Sequence, residues 1–195
     1  MNKGSSTRQA IVDEALRRAT RVGLENVTIG VLAEALDLSK SGLFAHFKSK
    51  EALQKAVLNE AVVRFTAQVV QPALKAKAGC ARLRKLMAGY FDWLEGRGDL
   101  PGCPFVTLAQ EYDDRPGELR ATLVTYQRDW RGLLMEMVRT AISGGELASD
   151  TDPHQLAFEL VGIALAFQHS HKLLDDRAAR RRAEIAVDKL LSKPR

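Results

Sequence analysis

Apolar residues recur at helical spacing along almost the whole chain, and the alternation of a half-buried strand persists nowhere. Ile11, Ala15, Ala19 and Val22 fall on one face of a first helix, which Gly23 stops. Ile29, Leu32, Ala33 and Leu36 mark a short second helix with Thr28 as its N-cap. Leu36-Asp37-Leu38 forms a turn, and Ser39 caps a short third helix that turns Leu43 and Phe47 inward. Ser49 caps a longer fourth helix, which Pro72 is expected to kink or end. Leu83, Leu86, Met87, Tyr90 and Leu94 mark a fifth, closed by the loop GRGDLPGCP. Pro104 and Pro116 suit the first positions of a sixth and a seventh, and the seventh stops at Gly144-Gly145. Asp152-Pro153 opens an eighth, and a ninth runs from about Arg177 to Leu191. The expected fold is all-α with about nine helices: a three-helix unit over residues 1–50 and a helical bundle over 51–195.

Composition narrows the class. The 195 residues are 46% hydrophobic and 27% charged, as in an ordinary globular protein. The longest apolar run, Leu160 to Phe167, is far short of the roughly 20 residues that a membrane span requires. The N-terminal stretch has no apolar segment for export, and two cysteines make no disulfide framework, so a cytoplasmic protein is expected. The net charge is +5, of which residues 1–50 carry +3 (eight Lys/Arg against five Asp/Glu). That skew suits an anionic partner for the N-terminal end.

Three helices within 47 residues, the last two short and joined by a tight turn, describe a helix-turn-helix. Its second short helix, Lys40 to Phe47, would enter the major groove of DNA. With Leu43 and Phe47 inward, Lys40, Ser41, Phe44 and Ala45 face outward and His46 flanks the buried side. Lys40 and Lys50 each follow a serine cap and lie in a first helical turn, where the macrodipole disfavours a cation by about 0.3–1 kcal/mol. Such a lysine beside free backbone N–H groups suits a phosphate clamp, against the alternative of a solvated lysine tolerated at small cost.

These residues carry a resemblance. Thr28-Ile29, Leu32-Ala33, Leu38-Ser39-Lys40, Leu43-Phe44, His46-Phe47 and Lys48-Ser49-Lys50-Glu51-Ala52-Leu53 resemble the N-terminal signature of the TetR family of bacterial transcriptional regulators. The resemblance implies a homodimer reading a near-palindromic operator, with an inducer held in the C-terminal part. It assigns Thr28, Ser39, Lys40, Ser41, Gly42, Phe44, His46 and Lys50 to the DNA contact. Asp37 stands where the family's turn has glycine, and Phe44 where a tyrosine hydroxyl is usual. Gly102-Cys103-Pro104-Phe105 and the run Glu111 to Gly117 resemble one C-terminal subgroup of diverse effectors.

Met87, Tyr90, Trp93, Phe105, Tyr126 and Trp130 are candidates to line a cavity for an apolar or aromatic small-molecule effector, although aromatic residues at helical spacing also serve simply as core. Cys103, at a helix start, raises a redox sensor, against the alternative of an ordinary buried thiol. His169 and His171 point to different sides of one helix, so no metal site is expected, and no nucleophile–base pair or phosphate-binding glycine loop calls for a cofactor. Arg180-Arg181-Arg182 reads as a solvated face. The eighth helix is apolar nearly all round, which suits a homodimer through helices eight and nine. The expectation is a non-enzymatic DNA-binding transcriptional regulator, a ligand-responsive repressor without cofactor, metal or membrane partner. The alternatives are an all-helical enzyme using the C-terminal cavity and a non-specific DNA-packaging protein.

Overall fold

The computed structural model describes residues 3–192, and among them the chain forms nine helices and no strand. They are α1 (Lys3–Val22), α2 (Ile29–Ala35), α3 (Lys40–His46) and α4, which runs Lys50–Phe65, passes through a π turn (Thr66–Val70) and closes with Gln71–Leu74. There follow α5 (Cys80–Glu95), α6 (Pro104–Tyr112), α7 (Glu118–Ser143), α8 (Pro153–Lys172) and α9 (Ala179–Leu190). No helix of the described residues is long and apolar enough to cross a membrane.

The chain divides into two compact units. One joins residues up to 64 with 99–125, and the other joins 65–98 with 126 onward. In the first, α1 buries Ile11, Val12, Ala15, Leu16 and Ala19 and packs along α6. Val22, expected on this buried face, is 54% exposed, because the chain leaves the helix at Gly23 one residue later. Thr28 Oγ1 accepts the backbone N–H of Val31, Ser39 Oγ that of Gly42, and Ser49 Oγ that of Ala52, so all three predicted caps form. Leu43 and Phe47 are buried beneath α3, with the Arg8 guanidinium over the Phe47 ring at 4.7 Å. In the α2–α3 turn Asp37 takes φ +52°, the left-handed conformation that glycine adopts without steric cost.

In the second unit, α5 is the central helix and α8 and α9 pack on it and on each other. Three expectations change here or at its edges. The helix carrying Pro72 does not break there. It widens into the π turn just upstream, where the proline ring would otherwise press on the Gln68 carbonyl and where its missing N–H leaves a bond unmade. The long α7 starts at Glu118 rather than at Pro116, since Gly117 at φ +147° interrupts the helical path. Arg180 is not simply solvated: its guanidinium reaches Asp92 at 2.8 Å, Glu95 at 3.3 Å and Glu184 at 2.6 Å, and lies 5.3 Å over the Phe91 ring.

Candidate nucleic-acid interface

The outer face of α3 is small, polar and open. Lys40, Ser41, Phe44 and Ala45 are exposed, Phe44 to 49%, while His46 and Gly42 are half-buried. Ser39 Oγ stands 3.1 Å from Ser41 Oγ and caps the Gly42 N–H at 3.0 Å. A Cβ at Gly42 would sit 3.0 Å from that same Ser39 oxygen, so glycine leaves the cap room to form. Thr28, exposed at the start of α2, has its hydroxyl committed to the Val31 N–H. The eight sequence-derived DNA-contact candidates thus fall at the starts of α2, α3 and α4 and along the face of α3.

Lys50, at the start of α4, is already engaged. Its Nζ donates to Glu25 Oε2 at 2.6 Å and to the Glu25 main-chain oxygen at 3.1 Å. The other carboxylate oxygen of Glu25 accepts from Tyr112 Oη at 2.7 Å and from Gln54 Nε2 at 2.9 Å. Lys50 first, then Tyr112 and Gln54, hold the Glu25 carboxyl down to about 2. Burial and the adjacent Glu25 carboxylate push the Tyr112 phenol up. Glu111, the neighbour of Tyr112 on α6, accepts the backbone N–H of Leu24 at 2.6 Å and of Glu25 at 2.8 Å. The last two residues of α6 therefore grip the α1–α2 turn, one by its backbone and the other through the Glu25 side chain.

Glu25 and Gln54 carry no mark in the sequence, and Glu111 carries one only as the first residue of the run Glu111 to Gly117. Each acts across a long sequence separation, so no local spacing marks its partner, and the one other signal is the glycine stop at Gly23. That glycine takes φ +82°, and a Cβ there would meet Glu111 Oε1 at 2.7 Å.

Within the second unit, three of the six effector candidates converge on a residue that the sequence reading missed. Phe65 is the last residue of the first α-helical stretch of α4. It stands edge-to-face against Tyr90 at 5.7 Å, Trp93 at 5.6 Å and Trp130 at 5.1 Å, with Tyr90 and Trp130 also 5.2 Å apart. The indole N–H groups of Trp93 and Trp130 are buried with no hydrogen-bond partner among the described residues. Met87 is buried on the same helix as Tyr90 and Trp93, Tyr126 is half-buried on α7, and Phe105 belongs to the other compact unit. Cys103 is buried at the N-cap of α6. His171 stacks on Phe167 at 5.5 Å. On α8, Leu156, Ala157, Leu160, Ala164 and Phe167 are buried, whereas Phe158 at 63% and Leu165 at 46% are exposed. A shallow apolar groove runs between Gly162, Ile163 and Ala166 of α8 and Ala186 and Leu190 of α9.

Residues 11–57 match the family model for bacterial regulatory proteins of the tetR family. Residues 79–187, more than half of the chain, match that for the tetracyclin repressor-like C-terminal domain. The chain belongs to the TetR family. This TetR-family protein is a DNA-binding transcriptional regulator. It is 26% identical over 155 residues to the transcriptional regulator AcuR of Cereibacter sphaeroides, covering 78% of this chain and 70% of that protein. It is 30% identical over 93 residues, 48% of each chain, to the HTH-type transcriptional repressor Rv1474c of Mycobacterium tuberculosis. Its fold superposes with TM-score 0.86 on a TetR regulator from Chloroflexus aurantiacus, at 25% identity and covering 98% and 95% of the two chains. It superposes with TM-score 0.77 on AibR solved with isovaleryl coenzyme A and operator DNA, at 24% identity and covering 94% and 97%.

Proposed function

We propose that this TetR-family protein is a cytoplasmic, non-catalytic repressor that binds a near-palindromic operator as a homodimer and releases it when a small apolar or aromatic effector binds. Residues 1–50 form the DNA-binding part, and 51–195 the effector-binding and dimerising part. The exposed face of α3 carries the reading. A buried hydrophobic side fixes a short helix whose outer side presents Lys40, Ser41 and Phe44, with Thr28, Ser39, Gly42, His46 and Lys50 around it. Lys40 and Ser41 would reach base edges, while Thr28 and Lys50 would lie at phosphates. The name of the relative Rv1474c, a repressor, supports the sign of regulation.

The α8 and α9 groove, with Phe158 and Leu165 exposed beside it, supports a dimer interface in which a second copy covers this face. Two recognition helices must then sit about 34–36 Å apart to meet successive major grooves, so an effector that favours a different spacing lowers affinity. The rings of Tyr90, Trp93 and Trp130 support an aromatic-lined effector site, with Met87, Tyr126 and Phe105 as further candidates.

The test is selection of genomic fragments by the purified protein, followed by competition against random duplex. A single enriched near-palindrome supports the reading. Equal competition by random DNA would indicate a packaging protein instead.

A further inference from the structure

Lys50 lies in the first turn of α4, where the helix dipole disfavours a cation, and Glu25 offsets that cost by accepting its ammonium. The grip is tight in geometry. Two of the three ammonium donors are committed, one to the Glu25 carboxylate at 2.6 Å and one to the Glu25 main-chain oxygen at 3.1 Å. The carboxylate is divided in its duties. Its Oε1 is anchored by the buried side chains of Gln54 and Tyr112, which leaves Oε2 to face Lys50. The backbone that carries Glu25 is itself pinned through its N–H by Glu111.

A carboxylate oxygen and a phosphate oxygen ask the same thing of an ammonium group: a short charge-assisted hydrogen bond. We propose that Glu25 is a built-in competitor for the DNA phosphate at Lys50, and that α6 holds this competitor in place through Glu111 and Tyr112. The inference rests on the reading that Lys50 binds a phosphate. It adds that the free protein meets DNA with this cation already paired, so binding exchanges Glu25 for a phosphate. Because the Glu25 carboxylate hangs from Tyr112, the position of α6 sets how easily that exchange occurs.

The test is a double-mutant cycle. Wild type, Glu25→Gln, Lys50→Ala and the double variant are titrated by fluorescence anisotropy against the selected operator and a random duplex over a salt series. Circular dichroism and light scattering check that all four are folded and of equal size. Glu25→Gln is expected to tighten both duplexes about 2- to 30-fold, counting one exposed pair per subunit. The salt slope should steepen by up to about 2 per dimer. In the Lys50→Ala background the same change should have no effect. Equal tightening in both backgrounds would mean general charge repulsion and would overturn the proposal, as would no tightening at all. If Lys50→Ala alone leaves affinity and salt slope unchanged, the phosphate reading of Lys50 has failed first.

A measurement on unmutated protein decides the same question where a variant misfolds. In wild type with glutamate labelled with carbon-13, the Glu25 Cδ shift should move on adding duplex, as the carboxylate loses its Lys50 partner. A shift that stays fixed shows Lys50 still held by Glu25 on DNA, and the competitor role falls.

Discussion

A methyl group at Gly23 would stand 2.7 Å from Oε1 of Glu111. The glycine thus does two things at once. It supplies the left-handed φ of +82° that ends α1, and it leaves room for a carboxylate to cap the N–H groups of Leu24 and Glu25. Gly23→Ala should cost about 1–3 kcal/mol in urea unfolding, from backbone strain and the forced withdrawal of Glu111. In a Glu111→Ala background the cost should shrink to the strain alone. Strictly additive losses would show that the two residues do not depend on each other.

The Glu25 carboxyl makes stability depend on pH in one window. In the folded protein it titrates at about 2 against an ordinary 4.5, so the folded state holds this proton less readily than the unfolded chain. Its contribution is fully present above about 4.5 and is lost as pH falls from there through about 2. The full shift would correspond to about 3 kcal/mol, which solvent access to the Lys50 pair reduces to about 1. Between about pH 5.5 and 3, wild type should therefore lose about 1 kcal/mol more than Glu25→Gln in urea unfolding. Matching losses would place the acid sensitivity on other carboxylates.

Phe44 is 49% exposed on the open face of α3, so an added ring hydroxyl stays in water until DNA arrives. Phe44→Tyr should leave Tm unchanged. It should tighten operator and random duplex alike by several-fold, since a bond to a charged acceptor contributes about 1.5–3 kcal/mol before the displaced water is counted. Titrations of both duplexes at one salt concentration decide it, and equal affinities for the two proteins would move Phe44 off the DNA backbone.

Leu165 is 46% exposed on α8 of the single chain, which makes it a clean probe of the proposed dimer. Leu165→Asp leaves the chain's own core untouched but would bury an unpaired carboxylate between two copies. Light scattering at micromolar concentration should read a dimer for wild type and a monomer for the variant. A monomeric wild type would remove the α8 and α9 interface from the reading.

The two tryptophans of the chain, Trp93 and Trp130, both touch Phe65. An aromatic effector that enters this ring cluster should change their fluorescence and weaken operator binding over the same concentration range. Phe65→Leu should weaken both responses together. A ligand that alters fluorescence yet leaves operator affinity intact would separate this cluster from DNA release.

Local physics was enough for much of the molecule. Helical periodicity and side-chain caps depend on residues three or four apart, so Thr28, Ser39 and Ser49 could be placed as caps and Leu43 and Phe47 inward from the sequence alone. Gly23 was legible as a stop because its backbone freedom is its own property. What the sequence could not carry was the content of contacts between distant segments. Arg180 belongs to a run of three arginines, and only packing against α5 turned it inward to Asp92 and the Phe91 ring. Pro72 announced a disturbance, but whether the helix would end or widen depended on what lay beside it. Lys50 was visible as a cation at an unfavourable place, and the reason it is tolerated, Glu25, lies 25 residues earlier. Glu25 is in turn fixed by Tyr112, 87 residues further on. Such partners share no spacing along the chain, because chain folding, not periodicity, brings them together.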